Sequence, residues 1–238
     1  MISFSLVIPC YNEVDNLPTL LDRARMVLAE EKLLEIVLVD NGSTDGSGQL
    51  LRQMMDKVSS ERLRVVTIKQ NLGYGWGILC GLDSAQGDIL AWTHADLQTD
   101  IGDVLVGIRL FVENAKRNTL VKGTRRNRRL GEKFFSWGME KYASIRLRCL
   151  LSEINAQPKV FSKQFYCEFI QGRAPHDFSL DLFVQYQAQR YGQVLEFPVF
   201  FNPRLHGESK GGGSSRTRWK LIERTNAYIG RLAKELNL

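Results

Sequence analysis

Short, unbroken apolar runs separated by helix-length stretches set the first constraint on this chain. Residues 36–39 and 89–92 are wholly apolar and 4–9 and 63–68 largely so; the runs are rich in β-branched side chains and too short for helices. A strand with apolar side chains at successive positions has both faces covered, as in a parallel sheet between two helical layers. The intervening segments supply those layers. Leu17, Leu20, Leu21, Ala24, Val27 and Leu28 share one helical face within 17–31, and 46–57 and 75–85 are also helical in pattern. Helices over 103–114, 134–151 and 178–190, strands over 120–123 and 194–201, a Gly/Ser loop at 211–215 and a helix over 219–236 follow. There is no internal repeat and no linker. The expected fold is α/β, a Rossmann-like, mostly parallel sheet flanked by helices in one domain. That domain is expected over 1–215, with an amphipathic helix over 216–238 packed on it, on a membrane or on a partner.

A chain of 238 residues with 44% hydrophobic content can bury one good core. It has no apolar run of about 18 residues, so no bilayer span is expected. The first run has no basic leader or small-residue cleavage site and ends at Pro9, so it reads as a strand rather than a signal peptide. Cys10, Cys80, Cys149 and Cys167 lie far apart without a CxxC pair, the pattern of reduced thiols in a cytoplasmic protein. Asn41-Gly42-Ser43 matches a glycosylation sequon but reads as a turn. Charge is unevenly spread. Residues 1–115 carry 9 Lys+Arg against 16 Asp+Glu, net −7, while 116–238 carry 23 against 10, net +13. An acidic half suits a metal ion, and a basic half suits phosphates or an anionic surface.

In parallel sheets ligands bind beyond the carboxyl ends of the strands. The polar motifs stand at those ends: Tyr11-Asn12-Glu13, Asp40-Asn41-Gly42-Ser43 and His94-Ala95-Asp96. A carboxylate at Asp40 suits hydrogen bonds from a pyrimidine ring or a ribose. Taken alone, that tetrapeptide is equally a strand-to-helix turn with an N-cap. The glycines of Asn71-Leu72-Gly73-Tyr74-Gly75-Trp76-Gly77 open a helix, where backbone can approach an anion closely.

Leu6-Val7-Ile8-Pro9-Cys10-Tyr11-Asn12-Glu13 and Val37-Leu38-Val39-Asp40-Asn41-Gly42-Ser43-Thr44-Asp45 together closely resemble the opening motifs of the family 2 glycosyltransferases. Asn71-Leu72-Gly73, completed by Gly81-Leu82, is similar to the next motif of that family. The resemblance implies a GT-A fold and a nucleotide-sugar donor, UDP- or GDP-linked. Pro9, Tyr11, Glu13, Asp40, Asn41, Asn71 and Gly73 would bind it. Where the family usually reads Asp-Ala-Asp, a pair gripping a divalent cation, this chain reads His94-Ala95-Asp96-Leu97-Gln98. The implied cofactor is Mn²⁺ or Mg²⁺, with His94, Asp96 and Gln98 as ligands and Asp96 catalytic. Imidazole tolerates Mn²⁺ better than Mg²⁺. On the other reading His94 is a hydrogen-bonded strand-end histidine and only Asp96 touches metal.

The C-terminal half resembles the polyprenol-phosphate, or dolichol-phosphate, sugar synthases. The resemblance lies in Val121-Lys122-Gly123-Thr124-Arg125, in residues 178–182 and 192–199, and in Arg204-Leu205-His206-Gly207-Glu208-Ser209-Lys210. It implies inverting transfer to a polyprenyl phosphate, with Arg125, Arg204, Ser209 and Lys210 on phosphate groups. Such an acceptor is already anionic and needs no strong base. A glycan or lipid-linked sugar hydroxyl, the alternative acceptor, would need a carboxylate to take its proton, and Asp181, ahead of Asp177, would be that second catalytic group. With a phosphate acceptor, Asp181 orients the acceptor or contacts a basic side chain. Residues 154–159 lack the usual acceptor loop of the subgroup.

A catalytically silent nucleotide-sugar binder is the non-enzymatic alternative. A sugar-nucleotide pyrophosphorylase is excluded, because it should carry a glycine-rich basic loop after strand one. Nucleic-acid binding through 125–129 is not expected, because no recognition fold accompanies the patch. Basic, aromatic-rich helices over 134–151 and 219–236 are expected to attach the protein to the cytoplasmic face of a membrane without spanning it. The alternative is that they pack on the core or on a partner subunit, which suits the terminal helix equally well.

Overall fold

The computed structural model describes residues 2–55, 60–127, 130–206 and 215–237. Its first half alternates as the apolar runs require: β1 (Phe4–Cys10), α1 (Leu17–Glu30), β2 (Leu34–Asn41), α2 (Ser47–Met55), β3 (Leu63–Ile68), α3 (Tyr74–Ser84) and β4 (Ile89–Trp92). Then come α4 (Asp103–Asn114), β5 (Thr119–Arg126), α5 (Leu130–Arg146) and β6 (Lys159–Ser162). The short α6 (Lys163–Phe165) runs into a π-helical turn (Tyr166–Ile170), followed by α7 (Leu180–Tyr191), β7 (Gln193–Phe200) and α8 (Ser215–Glu235).

The strands form one sheet in the order β3-β2-β1-β4-β6-β5-β7, with β6 antiparallel to both neighbours and the other pairings parallel. Apolar clusters cover both faces. Residues of α1, α2 and α4 pack on one side, and residues of α3, α5, α7 and α8 on the other. Central β1 is buried accordingly, with Leu6, Val7 and Ile8 at 0% exposure. Chain order turns around at β1, between β2 and β4. A crevice therefore opens beyond the carboxyl ends of these strands, where parallel sheets bind ligands.

Strand β6 was not legible as a strand. It holds four residues and begins on a lysine, and its partners are distant in sequence. Pairing sets Lys159 opposite both Trp92 of β4 and Lys122 of β5. Because β6 runs backwards, its first residue sits at the edge where the parallel strands end.

The terminal helix α8 is divided along its length. Ile229, Leu232 and Ala233 are buried in the α3/α5/α7 cluster, whereas Trp219 is 64% exposed. In and after α5, Ala143, Leu147 and Leu151 face the same cluster, leaving Trp137, Tyr142, Ile145 and Leu150 exposed. The side chains of Phe134 and Phe135, counted in the sequence pattern, lie outside the described residues.

Candidate active site

The first two polar motifs are laced together beyond β1 and β2. The Asn12 N–H donates to Ser43 Oγ at 3.1 Å, and the Thr44 N–H donates to Asn12 Oδ1 at 2.8 Å. The Glu13 N–H donates to Ser47 Oγ at 2.9 Å, and Ser47 Oγ donates to Asp45 at 2.6 Å. Asp40 is 5% exposed and accepts the Ser43 N–H at 3.0 Å. Its carboxylate lies so close to α2 that any side chain at Gly48 would overlap it. An open cleft of about 310 Å³ adjoins it, lined by Asp40, Ser43, Arg52, Thr67 and Lys69 among others. Pro9 and Tyr11 are half-buried beside these loops. Asn41 is 2% exposed, and its Nδ2 donates to the Gly73 carbonyl at 3.0 Å, so the sequon is a packed turn.

The glycine-rich loop is used differently from the sequence expectation. Gly73 has φ +130°, and the space a side chain would need is filled by the His176 carbonyl. The Trp76 N–H donates to that same carbonyl at 2.9 Å, and Gly75 lies against the carbonyls of Pro175 and Asp177. The close backbone approach is made by the chain's own 175–177 segment, and the His176 carbonyl takes the place of an anion at the start of α3. Asn71 Oδ1 accepts the Gly73 N–H at 2.8 Å, fixing the turn.

Beyond β4 the third motif meets the segment after β7. Arg204 Nη2 lies 2.7 Å from Asp96 Oδ2, and the Gln98 N–H donates to Asp96 Oδ1 at 3.2 Å. Asn202 and Gln98 exchange two hydrogen bonds: the Asn202 N–H to the Gln98 carbonyl at 2.7 Å, and Gln98 Nε2 to the Asn202 carbonyl at 3.2 Å. His94 Nε2 is 2.8 Å from the Tyr74 hydroxyl, whose ring stacks on Phe178 at 4.7 Å. Burial lowers the His94 pKa against the opposing pull of Asp96 and Asp181. Burial, then the charge of Asp181, raises the Tyr74 pKa well above its ordinary value, so this hydroxyl keeps its proton.

Asp181, at the start of α7, is 2% exposed. It pairs with Lys159 Nζ and accepts from Gln157 Nε2 at 2.8 Å. Lys159, wholly buried, also donates to the carbonyls of Ile154 and Ala156 at 2.8 and 3.0 Å. Burial pushes the Lys159 pKa down to about 8, opposed by Asp181. Its neighbour Lys122 is satisfied separately, by the Ser152 carbonyl at 2.8 Å and Glu196 at 2.9 Å. Arg125 pairs with Glu153 at 2.7 Å and lies 5.6 Å from the Phe201 ring centroid.

His94, Asp96, Gln98, Arg204 and Asp181 thus converge on one crevice. Asp40, Asn41, Asn71 and Gly73 stand beside it, at the end of β2 and the start of α3. Ser209 and Lys210 lie outside the described residues. Sequence reading missed Gln157 and Lys159, and missed the contact of Tyr74 with His94. The available signal was a lysine before an apolar pair, Lys159-Val160-Phe161, since charge is rarely placed beside a strand core without a partner. Among the described residues no three His, Cys, Asp or Glu side chains cluster as a metal cage. Asp96 and Gln98 instead offer a small oxygen set, which fits a hard cation whose remaining ligands are substrate phosphates and water.

The sequence profile of glycosyl transferase family 2 matches residues 5–169. The chain belongs to that family. An undecaprenyl-phosphate 4-deoxy-4-formamido-L-arabinose transferase from Aeromonas hydrophila is 30% identical over 217 residues, covering 87% of this chain and 62% of that protein. The protein of the same name from Pseudomonas fluorescens is 28% identical over 214 residues, covering 87% and 59%. The chain therefore spans about six tenths of the length of these curated relatives. Its GT-A fold is shared with glucosyl-3-phosphoglycerate synthase from Mycobacterium tuberculosis, solved with UDP. The TM-score is 0.74 at 16% identity over 98% of this chain and 80% of that one. A mannosyltransferase from Pyrobaculum calidifontis, solved with GDP-mannose and Mn²⁺, gives 0.68 at 19% identity over 97% and 64%.

Proposed function

We propose that this family 2 domain transfers a sugar, with inversion, from a nucleoside-diphosphate donor to a polyprenyl phosphate. The names of the relatives support the acceptor class. The observation that carries the choice within this chain is the sequestered state of Asp181. A hydroxyl acceptor requires a carboxylate free to take its proton. Asp181 is instead enclosed by Lys159 and Gln157, the contact with a basic side chain that was one of its two expected roles. An acceptor phosphate arrives already anionic and leaves that pair undisturbed.

The donor's base and ribose are placed at the Asp40 cleft, with its diphosphate reaching toward Asp96. Tyr11, Glu13, Asn41, Asn71 and Gly73 shape this end, with Pro9 in the last residues of β1 beside them. Asp96 and Gln98 would hold the Mn²⁺ or Mg²⁺, with His94 beside them. Such an ion neutralises charge on the departing nucleoside diphosphate. Arg204, and Ser209 and Lys210 further along, are assigned to phosphate oxygens. Arg125, bound to Glu153, shapes the acceptor side. The test is a panel of UDP-, GDP- and other nucleotide sugars with polyprenyl phosphate, scoring released nucleotide and lipid product. A glycosylated lipid product is expected. Nucleotide release only with a sugar hydroxyl acceptor, or no release with any donor, would overturn the assignment.

A further inference from the structure

The contact between Arg204 and Asp96 has a meaning beyond phosphate binding. Asp96 is nearly buried, with one carboxylate oxygen on the guanidinium at 2.7 Å and the other on the Gln98 N–H at 3.2 Å. His94 stands where a second carboxylate would be expected, and an imidazole carries no negative charge in any state it adopts here. Asp96 is thus matched by the Arg204 guanidinium, and the Asp181–Lys159 pair supplies the next charges around His94. A divalent cation arriving while Arg204 stays would put a second positive group on the Asp96 carboxylate in a poorly solvated place, where like charges repel strongly. The arginine is delivered by a defined clamp. The paired hydrogen bonds between Asn202 and Gln98 hold the segment after β7 on the same loop that carries Asp96.

From this geometry we infer that Arg204 and a divalent cation are alternative occupants of Asp96, and that cation entry releases the Arg204 guanidinium toward phosphate oxygens. Arg204 is thus a built-in counter-ion that keeps Asp96 satisfied until donor and metal arrive. The competition stands on the Asp96 pair alone, and only the destination of the released side chain rests on the function proposed above. The same exchange makes metal affinity weaker than a two-carboxylate motif would give, and it couples occupancy of the cation site to the loop bearing Asn202.

The competition is measured with Mn²⁺ alone, without nucleotide, by electron paramagnetic resonance titration of the whole chain. Arg204→Met should bind Mn²⁺ about tenfold or more tightly than the native chain, as expected when one charge-assisted hydrogen bond no longer competes. Asp96→Asn should bind none. In the native chain, saturating Mn²⁺ should speed hydrogen exchange of the Asn202 amide, as the clamp is loosened with its arginine. Equal or weaker Mn²⁺ binding by Arg204→Met, or no binding by either form, would overturn the inference. Should that variant fail to fold, Asn202 exchange decides alone, and unchanged exchange at high Mn²⁺ is the negative result. Failure of sugar transfer with the Mn²⁺ competition intact would sink the functional reading only.

Discussion

Asp96 and Asp181 are both nearly buried, at 5% and 2% exposure, yet their partners give them opposite roles. Asp96 holds a partly exposed arginine at the crevice. Asp181 holds a lysine with no solvent exposure. Replacing Asp96 with Ala should abolish transfer while the circular dichroism spectrum is preserved. His94→Asp should keep or raise activity and move the metal preference toward Mg²⁺, because a second hard oxygen suits that ion better than imidazole. Undiminished activity of Asp96→Ala in chelator would rule out the assigned role. At Lys159 the consequence is stability. Lys159→Ala leaves the Asp181 carboxylate buried without its cation, which typically costs roughly 3–5 kcal/mol. Urea denaturation should show that loss, and adding Asp181→Asn in the same chain should recover part of it. Independent, additive losses would show that the two do not act as a pair.

At the scale of elements, a polar clamp under strands β1–β3 complements the apolar layers. Glu35 accepts from Ser5 Oγ at 2.7 Å, from the Gln86 N–H at 2.6 Å and from Arg64 Nη2 at 2.8 Å. Burial alone would raise its pKa, but these donors, led by the Gln86 amide, outweigh burial and lower it. A carboxylate whose pKa falls on folding stabilises the fold above its unfolded pKa, and that contribution is lost as pH drops through the folded value. Glu35→Gln should therefore cost about 1–3 kcal/mol at neutral pH. The gap from native should close in acid, and a gap independent of pH in denaturant titrations would contradict this account.

Helix α5 carries the other element-scale prediction. Its inner side packs on the core, while Trp137, Tyr142 and Ile145 stay exposed near Lys141 and Arg146. Among the described residues no helix is long and apolar enough to cross a membrane, so contact would be interfacial. Each basic side chain near an anionic leaflet contributes about 1 kcal/mol. Sedimentation with anionic liposomes should pull the protein down at low salt and less at high salt. Trp137→Ala should weaken the binding. No binding at low salt would remove the helix from any membrane role.

For the whole molecule, residues of the acidic first half and the basic second half meet at Asp96 and Arg204, so a donor bound as proposed would bridge both. A ligand at one hundred times its Kd adds about 2.7 kcal/mol of stability. UDP or GDP, whichever matches the Asp40 cleft, should raise the Tm measurably more than the other, and Mn²⁺ should enlarge the shift. Identical, negligible shifts for both nucleotides would place the donor elsewhere.

The sequence by itself determined the β-α layering. Unbroken apolar runs cannot be stable with a face in water, and amphipathic segments between them have only those faces to cover. It also determined where the polar motifs stand, because Tyr11-Asn12-Glu13, Asp40-Asn41-Gly42 and His94-Ala95-Asp96 each fall at the carboxyl end of a strand. Tertiary structure alone decided what those residues face. Strand β6 is too short to announce itself, and only its antiparallel pairing brings Lys159 beneath the site to hold Asp181. The 175–177 segment fills the turn at Gly73 and Gly75 from a hundred residues away, and Arg204 reaches Asp96 through the Asn202–Gln98 clamp. A local pattern records which surfaces must be buried. The partner of a buried charge is set by where distant segments cross, and no spacing along the chain encodes that.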